Sequence, residues 1–262
     1  MSTSAPQGDD PFYVGYHPVA PGPVARGVRH IIGGTVMLVA GTATLLGLSQ
    51  RPADPGVFEY GHPRTVRGQL REFPYPSLLV PGAGITDRGA AYTRYLLVGV
   101  GKHGAQSVVS GLDGRWVELT GTRIARPERE MLEVISGEVA ELSPASVPEL
   151  GGSLPPAADL GEQTLTGEIV DSKCWLGVMK PATGTVHRGC ASRCLHGGIP
   201  PLLMTTDSLG GVAHYLLTDA DGRATPVWFS ELVGRGVRLT GEVNRDGDLL
   251  ILRVRHATVI WR

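Results

Sequence analysis

With 262 residues, 42% hydrophobic and 19% charged, the chain is long enough for two ordinary domains and too apolar to be disordered. Its net charge of -1 excludes the strong basic field that gathers nucleic acid or an anionic membrane surface. The 37 glycines and 20 prolines punctuate short strands and tight turns, and the odd count of three cysteines leaves either one disulfide with a free thiol or three thiolates for a metal.

In chain order, residues 1–27 carry proline, glycine and small polar side chains without periodicity and read as a flexible tail, with Phe12, Tyr13 and Tyr16 as its aromatic residues. Residues 28–49 read as a transmembrane helix. The stretch 31–48, IIGGTVMLVAGTATLLGL, is free of charge and as a helix reaches roughly 27 Å, close to the thickness of a bilayer's hydrocarbon core. A cleaved signal peptide is the alternative, but no clear small-x-small site follows before Gln50, Arg51 and Pro52. Arginines flank both ends, so charge counting leaves the orientation open. A short tail inside and a large cysteine-bearing part outside predicts a single-pass protein of the bacterial inner membrane with its C-terminal domains in the periplasm. Ala40 with Thr44 and Ala43 with Gly47 have the spacing that close helix contacts use.

Beyond the helix an internal repeat organises the chain. GRWVELTG (114–121) matches GRGVRLTG (234–241), and YLL at 95–97 matches YLL at 215–217 at the same offset. Farther back, PSLL (76–79) answers PPLL (200–203), and Gly68 answers Gly167. Two copies of one unit are therefore expected, 58–142 and 163–262, joined by a proline- and alanine-rich linker at 143–162. In each copy the alternation of apolar and polar residues gives five short strands with a helical turn between the third and fourth. That order predicts a mainly β protein in which one transmembrane helix precedes two tandem OB-fold-like five-stranded barrels.

The second copy carries an addition. Gly68 stands eight residues before Pro76, whereas Gly167 stands 33 before Pro200, so about 25 residues have been inserted between the first two strands. This insertion, 171–199, holds all three cysteines. The first copy lacks it, so it is expected at a rim, dispensable to the fold. His187, Cys190 and Cys194 are spaced three and four apart and share one face of a helical turn. Cys174 follows the first strand closely enough to meet that face. The four together suit tetrahedral Zn(II), and Met179 and His196 nearby would also suit Cu(I). A disulfide, Cys174 to Cys190 or Cys190 to Cys194, is the alternative. Covalent haem and a Rieske cluster both fail on spacing. Lys173, next to Cys174, is a candidate for lowering a thiol pKa.

The set DSKC (171–174), HRGCASRC (187–194) and GGIPP (197–201) resembles a family of small exported or membrane-anchored bacterial OB-like proteins with a DSxC…HxxCAxxC…GGIPP motif. The resemblance covers mainly the second copy. It implies an OB-like fold, an exported location and Asp171, Cys174, His187, Cys190 and Cys194 as signature positions, and it implies no reaction.

Two functions compete at this level. One is a non-enzymatic accessory subunit, anchored through 31–48 and docked on an integral membrane protein complex, one of electron transport among the candidates. The other is a metal-binding or thiol-redox protein, a carrier or assembly factor, that works through the insertion. No general acid and base pair and no phosphate-binding loop stands out, so an enzyme is not expected. Nucleic-acid binding is not expected either, for want of basic grooves and stacking aromatics.

Overall fold

The computed structural model describes residues 20–49, 55–81, 92–127, 129–143, 157–205 and 214–261. The tail aromatics Phe12, Tyr13 and Tyr16 and linker residues 144–156 lie outside the described residues. Residues 1–53 form one unit and residues 54–262 a second.

Helix α1 (Gly22–Ser49) is long and apolar enough to cross a membrane. It begins at Gly22 rather than at residue 28, because Pro23 is accepted in a first turn whose N–H groups have no helical partner. Thr42 and Thr44 donate their hydroxyls to the Leu38 and Ala40 carbonyls at 2.8 Å each, so these two polar groups are satisfied inside the helix, as an apolar surrounding requires.

The second unit holds two five-stranded sheets. The first contains β1 (Val57–Arg71), β2 (Ser77–Pro81), β3 (Tyr92–Gly99), β4 (Trp116–Arg126) and β5 (Arg129–Glu141), with the short helix α2 (Gln106–Val109) between β3 and β4. The second contains β6 (Ala158–Asp171), β7 (Pro201–Thr205), β8 (His214–Thr218), β9 (Gly236–Asp246) and β10 (Leu249–Trp261), with a 3-10 turn (Val227–Glu231) at the place of α2. The pairing runs β1-β2-β3-β5-β4 and returns to β1, and β6-β7-β8-β10-β9 and returns to β6. Every pair is antiparallel except the equivalent β3/β5 and β8/β10. The strands expected from alternation are all present. β1 and β6 start earlier than expected, β6 taking up the end of the expected linker, because each continues its pairing with β4 or β9 across a bulge. Gly61 (φ 79°) and Gly161 (φ 77°) lie at these bulges and supply the left-handed backbone there.

The repeat glycines have a packing cause. A Cβ on Gly68 would stand 2.5 Å from the Leu79 carbonyl oxygen, and one on Gly167 would stand 1.9 Å from that of Met204. At Gly121 and Gly241 the obstructing oxygens belong to Glu133, at 2.6 Å, and Arg253, at 1.9 Å. Glycine is required where a strand presses on its neighbour as it changes partner or register.

Each sheet encloses its own apolar core, Leu70, Leu97 and Leu119 in the first and Ile169, Leu217 and Leu239 in the second. A third cluster lies between them. Leu96, Val98, Ile124 and Met131 come to it from the first sheet and Val170, Leu202, Leu216 and Leu249 from the second. The insertion contributes Cys174, Trp175, Leu176, Ala182, Cys194 and Ile199 to this same cluster. The expectation of a dispensable rim loop is therefore corrected: its apolar side chains fill the space between the sheets.

Polar contacts reinforce this joint. Arg94 and Arg129 of the first sheet reach the β9–β10 turn of the second, Arg94 to Asp246 at 2.7 Å and Arg129 to Asp248 at 2.9 Å. Tyr75, 4% exposed, holds its hydroxyl 3.0 Å from Thr225 Oγ1 and accepts the Thr225 N–H at 2.8 Å. Burial pushes the Tyr75 phenol up to about 12, with the Thr225 hydrogen bonds opposing it. An unfolded tyrosine ionises near 10. The neutral phenol is the form the fold accepts, so this contribution is complete below about pH 10 and is lost as pH rises through about 12, a change on the order of 3 kcal/mol. In urea unfolding at rising pH, Tyr75→Phe is expected to flatten the alkaline loss of stability. Equal slopes for the two proteins would refute the assignment.

Candidate metal centre

Strand β6 ends in the site. Asp171, fully buried, receives the Cys174 N–H on Oδ1 at 2.8 Å and holds His187 Nε2 with Oδ2 at 2.8 Å. The chain then enters a π-helical turn (Cys174–Val178), and helix α3 (Arg188–His196) brings the remaining sulfurs back. His187 is the N-cap of α3, and Cys190 and Cys194 follow on the face that its spacing predicts. Ala191 packs into the second sheet's own core while Cys194 packs into the shared one, which fixes the rotation of the helix.

The ligand atoms of Cys174, His187 and Cys190 lie within 4.8 Å of one another, as do those of Asp171, Cys174 and Cys194. Cys174 belongs to both groups. The four expected residues are thus divided between two overlapping groups joined at Cys174, and Asp171 belongs to the second. The Asp171 carboxylate engages Nε2 of His187 and so holds the ring in the manner of an outer-shell partner. All three cysteines are free thiols in the structure. Cys174 and Cys194 are buried and Cys190 is half-buried.

One lysine stands at the sulfurs, and it is not Lys173. The Lys173 ammonium turns to the first sheet, to the carbonyls of Gly99 (2.9 Å) and Gly101 (2.6 Å) and the Glu133 carboxylate. Lys102, from the loop after β3, sets its Nζ 2.7 Å from Cys190 Sγ and 3.8 Å from Cys194 Sγ. No local sequence signal places Lys102 there, since it stands 88 residues before Cys190, in the first copy. The hydrogen bond with Cys190 raises the Lys102 pKa, with burial opposing it. Hydrogen bonding with Cys194, burial and the Asp171 charge push Cys174 up; hydrogen bonding with Cys174 and the nearby Lys102 charge pull Cys194 down against its burial.

Met179 and His196 do not join the group. Met179 is 40% exposed, and His196 uses Nδ1 on the Ser192 carbonyl at 2.8 Å. Trp175 closes the apolar side, with the Arg126 guanidinium 4.4 Å above its ring and Arg126 Nε donating to the Trp175 carbonyl at 2.5 Å. A cavity of about 460 Å³, lined by Phe73, Pro74, Pro76, Val109 and Ala224 among others, contains no residue of the insertion. Its carboxylate, Glu72, is engaged by the N–H groups of Leu112 and Asp113 at 2.7 and 3.0 Å.

No protein-family model matches the chain, and no curated protein matches it.

Proposed function

We propose that the chain is a membrane-anchored metal protein whose body, two OB-like barrels, holds a tetrahedral zinc(II) ion on Cys174, His187, Cys190 and Cys194. The observation that supports this best is the pair of ligand groups that share Cys174, one with His187 and Cys190 and the other with Asp171 and Cys194, with the buried Asp171 carboxylate on the imidazole. Three thiolates and one nitrogen complete a tetrahedron and leave no open position, the pattern of a structural rather than a catalytic zinc site. The ion would tie the end of β6 to α3 and so hold the insertion in the shared core. A periplasmic body fits the same reading, because a bound metal protects clustered thiols that an oxidising compartment would otherwise pair.

Elemental analysis together with native and denaturing mass measurement of the full chain in mild detergent tests the centre. One zinc per chain is expected, and Cys194→Ser is expected to lose it. A metal-free chain with two cysteines joined would replace the centre by a disulfide, and copper in place of zinc would change the ion but not the ligands.

A second reading, that the anchored body is an accessory subunit of an integral membrane complex, rests on the apolar length of α1. It is compatible with a closed metal site. Co-purification of one membrane partner in stoichiometric amount would support it, and a strictly monomeric particle would count against it.

A further inference from the structure

The proposed centre belongs to the second copy, yet the group that covers its sulfurs comes from the first. We infer that Lys102 is the outer-sphere cation of this site, a positioning residue whose charge sets the affinity for a divalent metal ion; the assignment rests on the zinc reading above.

The loop carrying Lys102 is held against the helix end. Gly99 N–H donates to the His103 carbonyl at 2.8 Å, and Gly104 N–H donates to the Gly197 carbonyl at 2.7 Å. A Cβ on Gly197 would stand 1.7 Å from the Lys102 carbonyl oxygen, so only glycine lets the loop seat. Gln106 adds an Nε2 bond to the Gly198 carbonyl at 3.3 Å. The Lys102 backbone is thus located by contacts independent of its side chain, and the ammonium meets the half-buried thiol of Cys190 from the exposed side.

Charge explains why a cation belongs there. Three thiolates on a divalent ion leave one excess negative charge, and the Asp171 carboxylate behind His187 adds another. Lys173, the nearest lysine in sequence, is engaged by Glu133 and two carbonyls. Lys102 is the ammonium in contact with the sulfurs, where its charge offsets the excess negative charge that three thiolates leave on a divalent ion. A monovalent ion in the same ligands would leave one more uncompensated charge, so the arrangement suits a divalent ion.

The test is zinc affinity of the full chain in detergent, measured by competition with a chromogenic chelator across pH and salt, for the wild type, Lys102→Met and Lys102→Arg. Lys102→Met is expected to keep one zinc per chain but bind it about tenfold more weakly, the lower end of outer-shell effects because Lys102 is exposed. Its half-loading pH is expected to rise, and its deficit to narrow at high salt as exposed charges are screened. Lys102→Arg, which keeps the charge, is expected to stay near the wild type. A purely structural lysine would move neither the pH midpoint nor the salt dependence. If the wild type binds zinc and Lys102→Met matches it at every pH and salt, the Lys102 assignment fails alone; if the wild type takes up no zinc, the centre and the assignment fail together.

Discussion

Replacing residues 172–200 by the connector 72–76 of the first copy is expected to abolish cooperative unfolding of residues 54–262. The insertion fills the shared cluster with side chains that have almost no exposure, Trp175 at 5% and Leu176 and Ile199 at 0% and 1%. Truncating one buried aliphatic or aromatic side chain costs about 2–5 kcal/mol, while a whole domain is stable by about 5–15 kcal/mol. Removing several at once exceeds that margin. Trp175→Ala alone is the graded version: about 3–5 kcal/mol, because the space left between two sheets cannot collapse without moving both. For a body of this size the melting temperature should fall by about 6–20 °C. Circular dichroism against temperature and denaturant, on the full chain in detergent, measures both. A shortened chain with a sharp, unshifted transition would show that the sheets hold together without the insertion.

The second large effect is expected at Arg129. Its side chain is 2% exposed, and its guanidinium bonds both the Asp248 carboxylate and the Asp248 carbonyl at 2.9 Å. Arg129→Met removes the charge and keeps most of the volume. It leaves Asp248, 16% exposed, without its closest counter-ion inside the joint. Breaking a buried pair in this way costs about 3–5 kcal/mol, much of it the penalty on the partner left behind. Arg94 stands 4.0 Å from Asp248 and offers partial relief, which places the expectation near the lower figure. Combining Arg129→Met with Asp248→Asn should recover part of the loss, since the stranded charge is then gone. If the double variant is as unstable as the sum of its single parts, the two groups do not act as a pair.

Much of this was legible before any coordinates. Alternation such as Val237, Leu239 and Gly241 buried against exposed Arg238 located the strands, and the repeated glycines marked the two copies without revealing why glycine stands there. His187, Cys190 and Cys194 stand on α3 and its N-cap, as their helical spacing predicts. The failures share a different origin. Comparison of the copies marks the insertion as extra, and extra length suggests a surface loop; the opposing signal was its own content, since Trp175, Leu176 and Ile199 are costly to leave in water. Lys173 looked close to the thiols because it is their neighbour along the chain, yet adjacent residues of a tight turn point apart. Lys102 reaches the sulfurs from the other sheet, and contacts between sheets leave no periodicity to read.

The two copies meet through the same parts. The loop after β3, which carries Lys102 and Gly104, lies on the connector after β6, while the loop after β8, which carries Thr225, lies on the connector after β1 at Tyr75. Leu96 and Leu216, equivalent in the repeat, both face the shared cluster. Reciprocal contact of this kind is the signature of an isologous interface, in which two identical subunits related by a two-fold axis each give what they receive. Between identical chains, any elaboration of the connector would appear twice, and two cysteine-rich insertions would compete for one joint. Covalent fusion lifts that symmetry. One connector can stay short and close its half with a tyrosine, and the other can grow into a ligand-bearing segment, so that a quasi-symmetric body carries a single, asymmetric centre.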